Sequence, residues 1–362
     1  MKVYFNGRFF TQNITGVQRY ALEIIRAIDD LLDQNIDHNN EYIILLPASA
    51  TCSLPLKHIK IREIGIGGGH FWEQVQLPLY AQDGFLLNFC NCAPIFKKNQ
   101  IVTLHDAAVN AYPQSFSWSF RTWYGVMFRI LGNKLHTIFT DSYFSKRELN
   151  HYFGINMEKL RVLYCGIDHV TVPQKACDDD IEQRFSLPEK GYIFSVGSRN
   201  PSKNFSLILR VAELLPHMVF VVAGGGNHTV FSTEKLTVPE NVKFLGYVTD
   251  EELFLLYANA NCFLFPSLYE GFGMPPLEAM VCGCPVVASN CASIPEICED
   301  GVLYCDPHNP EEWKEAIESL SYDACIRKDL LEKASRVIEK YHWKISAKKV
   351  LETIVCISEM HF

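Results

Sequence analysis

The chain alternates short, continuous apolar runs with longer stretches in which apolar residues recur every three or four positions. The run KVYF at residues 2–5 predicts a strand, and TGVQRYALEIIRAIDDLLDQ at residues 15–34 predicts an amphipathic helix. Strand-like runs follow at residues 41–47, 59–64, 85–90, 101–106 and 136–142, with helical stretches between them. Continuous apolar strands that alternate with helices indicate a parallel sheet covered on both faces.

The alternation restarts in the second half. Strand-like runs begin at residues 192, 218, 241, 262 and 285, and helical patterns cover residues 204–215, 250–260 and 275–283. Residues 169–190 between the halves contain Pro173, an acidic cluster and Pro188, and we interpret them as the crossing between domains. The pattern predicts one domain over residues 1–172, a second over 173–342, and a last helix, 343–362, that packs back on the first domain.

Composition fits this division. The chain has 362 residues, with 48% hydrophobic and 20% charged residues, which suits two globular domains. No window approaches the roughly 20 apolar residues that span a bilayer. MKVYFNGRFF does not have the pattern of a signal peptide, so we expect a first strand here and a cytoplasmic protein.

The net charge of −8 argues against nucleic-acid binding. Residues 1–172 hold 16 basic and 14 acidic residues, whereas residues 173–362 hold 17 and 27. A near-neutral first half beside an acidic second half is compatible with the first half facing an anionic surface.

The 13 cysteines are scattered and odd in number, which indicates reduced thiols rather than a disulfide framework. Two Cys-x-Cys pairs, Cys90/Cys92 and Cys282/Cys284, have no partner pair at zinc-finger spacing. We therefore expect no metal site.

The segment PSLYEGFGMPPLEAMVCGCPVV, residues 266–287, carries two glutamates around a glycine-containing loop that opens a helix. Prolines suit a first helical turn, which would put Glu278 there, beside free backbone N–H groups. A first-turn glutamate also offsets the helix dipole, so a purely structural role stays open. Glu270 precedes the glycine turn, where a backbone can approach a ligand closely.

Two further loops follow strands. In VGSRNPSKN, residues 196–204, Arg199 and Lys203 lie between a strand and a helix and would suit a diphosphate, although a solvated surface turn is an alternative. In TLHDAAV, His105 and Asp106 follow a strand and should point into a cleft, with a structural cap equally compatible. Gly16, at the start of the first long helix, would let an anion or a sugar approach.

The segment GIGGGHFW, residues 65–72, resembles half of a dinucleotide-binding fingerprint. His70 stands where the third glycine belongs, and the next strand ends in no acidic residue that could hold a ribose. We therefore expect no nicotinamide cofactor.

Together these motifs resemble the retaining glycosyltransferases of the GT-B fold, specifically the large family 4 that includes bacterial polysaccharide and O-antigen mannosyltransferases. The resemblance is carried by PSLYEGFGMPPLEAMVCGCPVVASNCASIPEI, SVGSRNPSKN, FLGYVTDEELFLLYANA, TLHDAAV and TGVQRYALEI, in the family's order. It is continuous over about residues 192–306. It implies two Rossmann-like, doubly wound parallel-sheet domains that face a central cleft.

The resemblance also implies roles. Glu278 would bind the ribose of a nucleotide sugar and Glu270 would lie beside the transferred sugar. Arg199 and Lys203 would neutralise the diphosphate, and His105 would contact the sugar near the reacting carbon. The other substrate-binding positions that it implies are Gly16, Asp106, Tyr247, Val248, Phe272, Gly273 and Met274.

The implied reaction retains the anomeric configuration and needs neither a divalent metal nor a cofactor, because fixed cations stabilise the departing diphosphate. The chain departs from the family at Cys282 and Cys284, and in the N-terminal loop NGRFFTQNITG, which lacks the multiple glycines of some relatives.

The acceptor would be a glycan or a polyprenyl-diphosphate-linked oligosaccharide bound by the N-terminal domain. FSWSFRTWYGVMFRILGNKLHTIF, residues 116–139, mixes aromatic and basic residues. Such a helix can lie on an anionic membrane, although core packing with a solvated rim is the more ordinary arrangement.

Mannose from GDP-mannose is the donor that the resemblance favours. Three alternatives stay open: a sugar-nucleotide 2-epimerase of the same fold, a glycan phosphorylase, and a non-catalytic nucleotide-binding subunit.

Overall fold

The computed structural model describes residues 1–34, 37, 39–171, 181, 184–188, 191–198, 200–225 and 238–360. The chain divides into two compact units, Met1–Gly166 with His342–Phe362, and Ile167–Tyr341. Each unit has its own parallel sheet and its own core.

The strands described in the first unit form one sheet in the order β3-β2-β1-β4-β5-β6-β7, and every pairing is parallel. They are β1 Lys2–Asn6, β2 Glu41–Pro47, β3 Lys60–Ile64, β4 Gly84–Asn88, β5 Gln100–Thr103, β6 Ile138–Thr140 and β7 Leu160–Val162. β1, β2 and β4 are almost wholly buried, as their continuous apolar runs predict.

The helices of the first unit lie between these strands. They are α1 Gly16–Leu32, α2 Gly69–Phe71, α3 Leu77–Tyr80, α4 Ala108–Ala111, α5 Trp118–Lys134 and α6 Tyr143–Phe153, with a π-helical turn at Trp72–Gln76. The C-terminal helix, Trp343–Met360, packs against α1, so the chain returns to this unit at its end.

The close approach of the C-terminal helix to the first unit requires a residue without a side chain at position 166, which is Gly166. A Cβ atom on Gly166 would lie 2.1 Å from the backbone nitrogen of Trp343. The ring of Trp343 in turn packs edge-on against Tyr20 of α1, with 5.7 Å between the ring centroids.

The second unit repeats the design. Its described strands run in the order β10-β9-β8-β11-β12-β13, all parallel, and are β8 Tyr192–Val196, β9 Val219–Ala223, β10 Val242–Gly246, β11 Cys262–Phe265, β12 Val286–Ser289 and β13 Leu303–Cys305. Its helices are α7 Phe205–Leu214, α8 Asp250–Asn259, α9 Met274–Val281, α10 Ile294–Cys298, α11 Pro310–Tyr322 and α12 Ala324–Ile338. Both strand orders reverse direction from a central strand, which is the doubly wound arrangement.

The aromatic and basic stretch at residues 116–139 divides between core and surface. Phe128 is buried and Trp123 and Tyr124 pack against the same core, whereas Trp118 is 76% exposed. No helix within the described part of the chain is both long and apolar enough to cross a membrane.

Candidate active site

The strand order of the second sheet reverses between β8 and β11. Ligands of doubly wound sheets bind beyond the carboxyl ends of the strands at such a point. The loop after β8 carries Lys203 and the loop after β11 carries Glu270, and Nζ of Lys203 lies 2.5 Å from Oε1 of Glu270. The structure therefore brings together two residues that are 67 positions apart.

Hydrogen bonds fix the loop that presents Lys203. Residues Pro201–Lys203 form a 3₁₀ turn that begins where the side chain of Asn200 accepts from the Ser202 N–H at 3.1 Å. The N–H of Leu268 donates to the carbonyl of Ser202 at 2.7 Å, which ties the β8 loop to the β11 loop. Asn204 closes the turn in the left-handed region, and its side chain donates to the carbonyl of Pro307 at 2.8 Å.

The buried side chain of Ser293 holds the loop that carries Glu270. The fully buried hydroxyl of Ser293 lies 3.0 Å from the Glu270 carbonyl and 2.8 Å from the Phe272 carbonyl. Phe272 is buried against the ring of Tyr341, with 5.7 Å between the centroids. Gly273 then takes a φ of +96°, which favours glycine, and helix α9 begins at Met274.

The prediction that Glu278 lies in the first turn of its helix is wrong. Helix α9 starts at Met274, before both prolines, so Glu278 is its fifth residue, and the first turn contains no acidic side chain. Gly283, with a φ of +71°, follows the end of the helix, where glycine is common. The dipole of the first turn therefore does not account for Glu278.

Glu278 is instead buried between two side chains of the same unit. Its Oε1 lies 3.4 Å from Nε2 of His169, and its Oε2 accepts from the hydroxyl of Tyr257 at 3.4 Å. Burial, and then the charge of Glu278, raise the pKa of Tyr257 well above its usual range, so Tyr257 stays a hydrogen-bond donor.

Sequence reasoning missed His169 and Tyr257. His169 is 109 positions from Glu278 and lies at the edge of the stretch interpreted as a crossing between domains. Tyr257 belongs to the apolar pattern of α8, where a tyrosine looks like any core residue. No pattern in the sequence connects either residue to the glutamate.

The remaining residues predicted for the second unit differ in exposure. Tyr247 is 85% exposed just after β10, and Val248 beside it is half-buried. Met274 is half-buried at the start of α9. Arg199 lies outside the described residues, so its predicted role stays a prediction.

The first unit holds the other predicted residues, at the ends of its own strands. His105 follows β5 and is 5% exposed, with Nδ1 2.7 Å from Oδ2 of Asp141 and Nε2 2.9 Å from the Phe89 carbonyl. Burial alone lowers the pKa of His105, but the charge of Asp141 and its hydrogen bond outweigh it, so the pKa is raised. Since both partner atoms only accept, the two contacts are satisfied together by an imidazolium.

Asp141 was not among the predicted site residues. It follows β6, two strands from the centre of the sheet, and it is 5% exposed. Its position one strand beyond His105 is the signal that could have identified it, because the carboxyl ends of neighbouring parallel strands share one edge.

Asp106 and Gly16 each lie at the start of a helix, α4 and α1 respectively. The carboxylate of Asp106 accepts from the Ala108 N–H at 2.8 Å, which is the capping arrangement that the sequence left open. Gly16 is exposed and is the first residue of α1, after Thr15, whose N–H donates to the side chain of Gln18 at 3.2 Å.

The side chains at the second sheet could bind an anion through Lys203 and sugar hydroxyl groups through Glu270 and Glu278. The ammonium of Lys203 has three hydrogens, and its bond to Glu270 uses one of them. The carboxylates of Glu270 and Glu278 only accept, which suits the hydroxyl groups of sugars. The cysteines described in the structure are free thiols.

Comparisons with known proteins show which proteins this chain is similar to. Residues 178–339 match the family model of the glycosyl transferases group 1. This stretch of the second unit is similar to a group 1 glycosyltransferase domain. The chain is 36% identical over 183 residues to O-antigen chain mannosyltransferase B of Escherichia coli, an alignment that covers 48% of each protein. It is 26% identical over 228 residues to O-antigen chain mannosyltransferase RfbU of Salmonella typhimurium, covering 62% of this chain and 61% of the relative.

The matches thus span about half to three fifths of the length of these two relatives. Solved structures are similar over nearly the whole chain. Anabaena HepE in complex with UDP-glucose gives a TM-score of 0.76 at 17% identity and covers 98% of this chain and 100% of its own. Sucrose-phosphate synthase from Thermosynechococcus elongatus gives 0.75 at 15% identity and covers 99% of each chain. Together with the two parallel-sheet units, these similarities show that the fold is GT-B.

Proposed function

We propose that the protein is a retaining hexosyltransferase that moves mannose from GDP-mannose to a growing cell-surface polysaccharide or lipid-linked glycan. The observation that carries the proposal is the ion pair of Lys203 and Glu270 across the switch point of the second sheet, inside the stretch that matches the group 1 glycosyltransferase model. The O-antigen mannosyltransferase relatives support the donor and the class of acceptor.

In the proposed reaction, the bond between the anomeric carbon and the diphosphate oxygen breaks, and the nucleoside diphosphate leaves with the electron pair. An acceptor hydroxyl bonds to the anomeric carbon and loses its proton. Lys203 stabilises the negative charge that grows on the leaving diphosphate, and fixed cations do this without reorganisation. We propose that the residues of the chain suffice, so that neither a divalent metal nor a cofactor takes part.

Glu270 and Glu278 have separate tasks in this proposal. Glu270, anchored through its backbone by Ser293, accepts hydrogen bonds from hydroxyls of the transferred sugar. Glu278, held by Tyr257 and His169, accepts from the ribose hydroxyls of the nucleotide. Each oxygen of this carboxylate has one such contact, which leaves a lone pair on each oxygen for a hydroxyl.

We further propose that the first unit binds the acceptor and makes peripheral contact with an anionic membrane on its cytoplasmic side. Trp118 and Phe96 are 76% and 83% exposed, and Nζ of Lys134 lies 5.3 Å from the ring centroid of Phe96. Exposed aromatic side chains beside cations suit a lipid headgroup region. Sedimentation with phosphatidylglycerol vesicles tests this contact, because a Trp118→Ser variant should bind them less and neutral vesicles should bind neither protein.

A transfer assay tests the function directly. The purified chain is incubated with GDP-mannose and a synthetic mannoside that carries a fluorescent aglycone, with a chelator present. We expect a product with one more mannose and an α configuration by NMR. A new sugar nucleotide formed without any acceptor would instead establish a 2-epimerase, and nucleotide binding without turnover would establish a non-catalytic subunit.

A further inference from the structure

The first sheet has its own point of reversal, between β1 and β4. The loop after β1 carries Arg8 and the loop after β4 carries Cys92, so both lie at the edge where doubly wound sheets bind ligands. A third side chain, Glu73, comes from the π-helical turn Trp72–Gln76. Such turns are rare and are frequent at functional sites.

Glu73 is a buried carboxylate that is only half satisfied. It is 1% exposed, and its Oε1 accepts from Asn6 Nδ2 at 2.8 Å and lies 3.2 Å from Nε of Arg8. Its Oε2 is buried and makes no hydrogen bond. Because a buried polar atom without a partner is costly, the position of Oε2 requires an explanation.

Two side chains that can bind metals surround this oxygen. Nδ1 of His70 lies 3.6 Å from Oε2 of Glu73, and the ligand atoms of His70, Glu73 and Cys92 all lie within 4.8 Å of one another. Imidazole nitrogen, carboxylate oxygen and thiolate sulfur are the ligands that zinc prefers in proteins. We propose that His70, Glu73 and Cys92 bind a thiophilic divalent cation of the Zn²⁺ class.

The charges around the cluster favour a cation once the thiol is ionised. A cysteine binds a metal as its thiolate, so the cation must displace a proton from the sulfur of Cys92. The carboxylate and the thiolate together outweigh the guanidinium of Arg8 by one negative charge. Arg8 stays on Oε1 and weakens the site, so the affinity for the cation is below that of a four-ligand structural zinc site.

The exposure of His70 determines how an ion reaches the cluster, and the positions of the three ligands determine what the bound ion does. The side chain of His70 is 49% exposed, so an ion can enter from solvent on that side, and three protein ligands leave a fourth position open. The bound ion joins the π-helical turn to the loop after β4 and stabilises the first unit. All three ligands belong to the first unit, whereas the residues proposed to bind the donor belong to the second.

Spacing alone could not reveal this cluster. The expectation of no metal site rested on the two Cys-x-Cys pairs, whereas the cluster uses one cysteine of one pair with a histidine and a glutamate about twenty positions earlier. His70 is also the residue that breaks the dinucleotide-binding fingerprint at residues 65–72.

Cobalt(II) is the probe, because a cobalt–thiolate bond gives a charge-transfer band in the near ultraviolet. The whole chain, freed of metal by a chelator and with the exposed Cys325 and Cys356 replaced by serine, is titrated with Co²⁺. We expect one equivalent to bind with the charge-transfer band, to release protons and to raise the melting temperature. His70→Ala should weaken binding by at least about tenfold, since even the loss of an outer partner costs that much.

Two comparisons make the titration decisive. His136→Ala, at an exposed histidine of the same unit, should leave the affinity unchanged. Cys92→Ser should abolish the charge-transfer band. The proposal is overturned if the wild type and His70→Ala bind cobalt equally, or if the band persists in Cys92→Ser, because other thiols then account for the binding. His70 is exposed, so its variant should fold, which circular dichroism checks.

Discussion

At the scale of single residues, Glu278 shows how burial and partners define a role. A carboxylate in the fifth position of α9 gains little from the helix dipole, which acts within the first turn. Its two neighbours, Tyr257 and His169, are themselves buried and fix its orientation. Since both contacts are long, at 3.4 Å, and Glu278 does not stabilise its own helix end, the carboxylate can still accept hydrogen bonds from another partner.

Glu278→Gln should weaken the binding of GDP by about 1.5–3 kcal/mol, the cost of a lost hydrogen bond to a charged group. Calorimetric titration measures it. Glu252→Gln is the matched control, because Glu252 is also buried in this unit but caps α8 through the Thr249 N–H at 2.8 Å. The control should melt earlier and bind GDP normally, and the same behaviour in Glu278→Gln would mean that Glu278 is only structural.

Lys203→Ala should lower kcat by about 10²–10³, as loss of one oxyanion-type donor does, with a smaller change in KM, since the charge that it meets grows in the transition state. Steady-state kinetics with GDP-mannose measures both constants. Lys340→Ala is the matched control, because Lys340 also forms an ion pair, with Glu299 at 2.5 Å, but is far in sequence from the loops that carry Lys203 and Glu270. This variant should leave kcat unchanged. An unaltered kcat in a folded Lys203→Ala protein would exclude the assigned role.

His105 predicts a pH dependence of stability. Its folded pKa is raised, so the His105–Asp141 contact stabilises fully below the unfolded value near 6.5 and is lost as the pH rises through the folded value. The difference in melting temperature between the wild type and His105→Gln should therefore shrink from about pH 5.5 to about pH 9, a range that brackets the ordinary histidine pKa. A constant difference across that range would mean that folding does not shift the pKa of His105, and a difference that grows with pH would mean that the folded pKa is lowered; either result contradicts the raised pKa.

The sequence predicted some of these residues and not others for a physical reason. Lys203 and Glu270 each follow a strand that the apolar pattern reveals, and the edge rule places both at one end of the sheet. The contacts of Glu278 with His169, and of His105 with Asp141, depend on which strands are neighbours and how helices pack over them. One-dimensional spacing does not contain that information.

At the scale of elements, the C-terminal helix shows how the chain closes the first unit. It packs on α1, and Ser346 near its start donates to the carbonyl of Tyr164 at 2.6 Å. The sequence led us to expect this helix and its return, because the helix is long enough to pack back across the first domain. It did not predict the close approach at Gly166, because a glycine in a loop has no pattern.

Gly166→Ala should lower the melting temperature substantially, because a Cβ atom 2.1 Å from a backbone nitrogen forces the helix away from α1. Overpacking of this kind lowers the free energy of unfolding by about 1–3 kcal/mol, and occasionally by more. The matched control is Gly125→Ala, within α5, where the nearest atom to a new Cβ lies 3.5 Å away. That variant should be neutral or slightly stabilising. Equal melting temperatures for the two variants would contradict the account of the return.

The start of α9 is a helix boundary that its prolines did not predict correctly. Proline suits the first turn, and two prolines at 275 and 276 suggested a start there. The helix begins one residue earlier because Gly273 takes a positive φ and turns the chain directly into Met274. A shift of this size is ordinary for a helix end, but it changes the account of Glu278.

At the scale of the whole molecule, two units with the same doubly wound design stand in one chain. The alternation of apolar runs predicted this architecture, because parallel strands buried on both faces have a distinctive composition. The second unit contains the stretch that matches the group 1 glycosyltransferase model, and the paired loops of the candidate donor site. The first unit carries the buried His105–Asp141 pair and the exposed aromatic side chains.

The proposal that the second unit binds a nucleotide sugar without metal is tested most directly by thermal stabilisation with a panel of GDP-, UDP-, TDP- and ADP-sugars in the presence of a chelator. We expect GDP-mannose to raise the melting temperature, Glu278→Gln to reduce this rise strongly, and the chelator to leave it unchanged. No rise with any nucleotide sugar, or a rise that requires a divalent metal, would contradict the proposal.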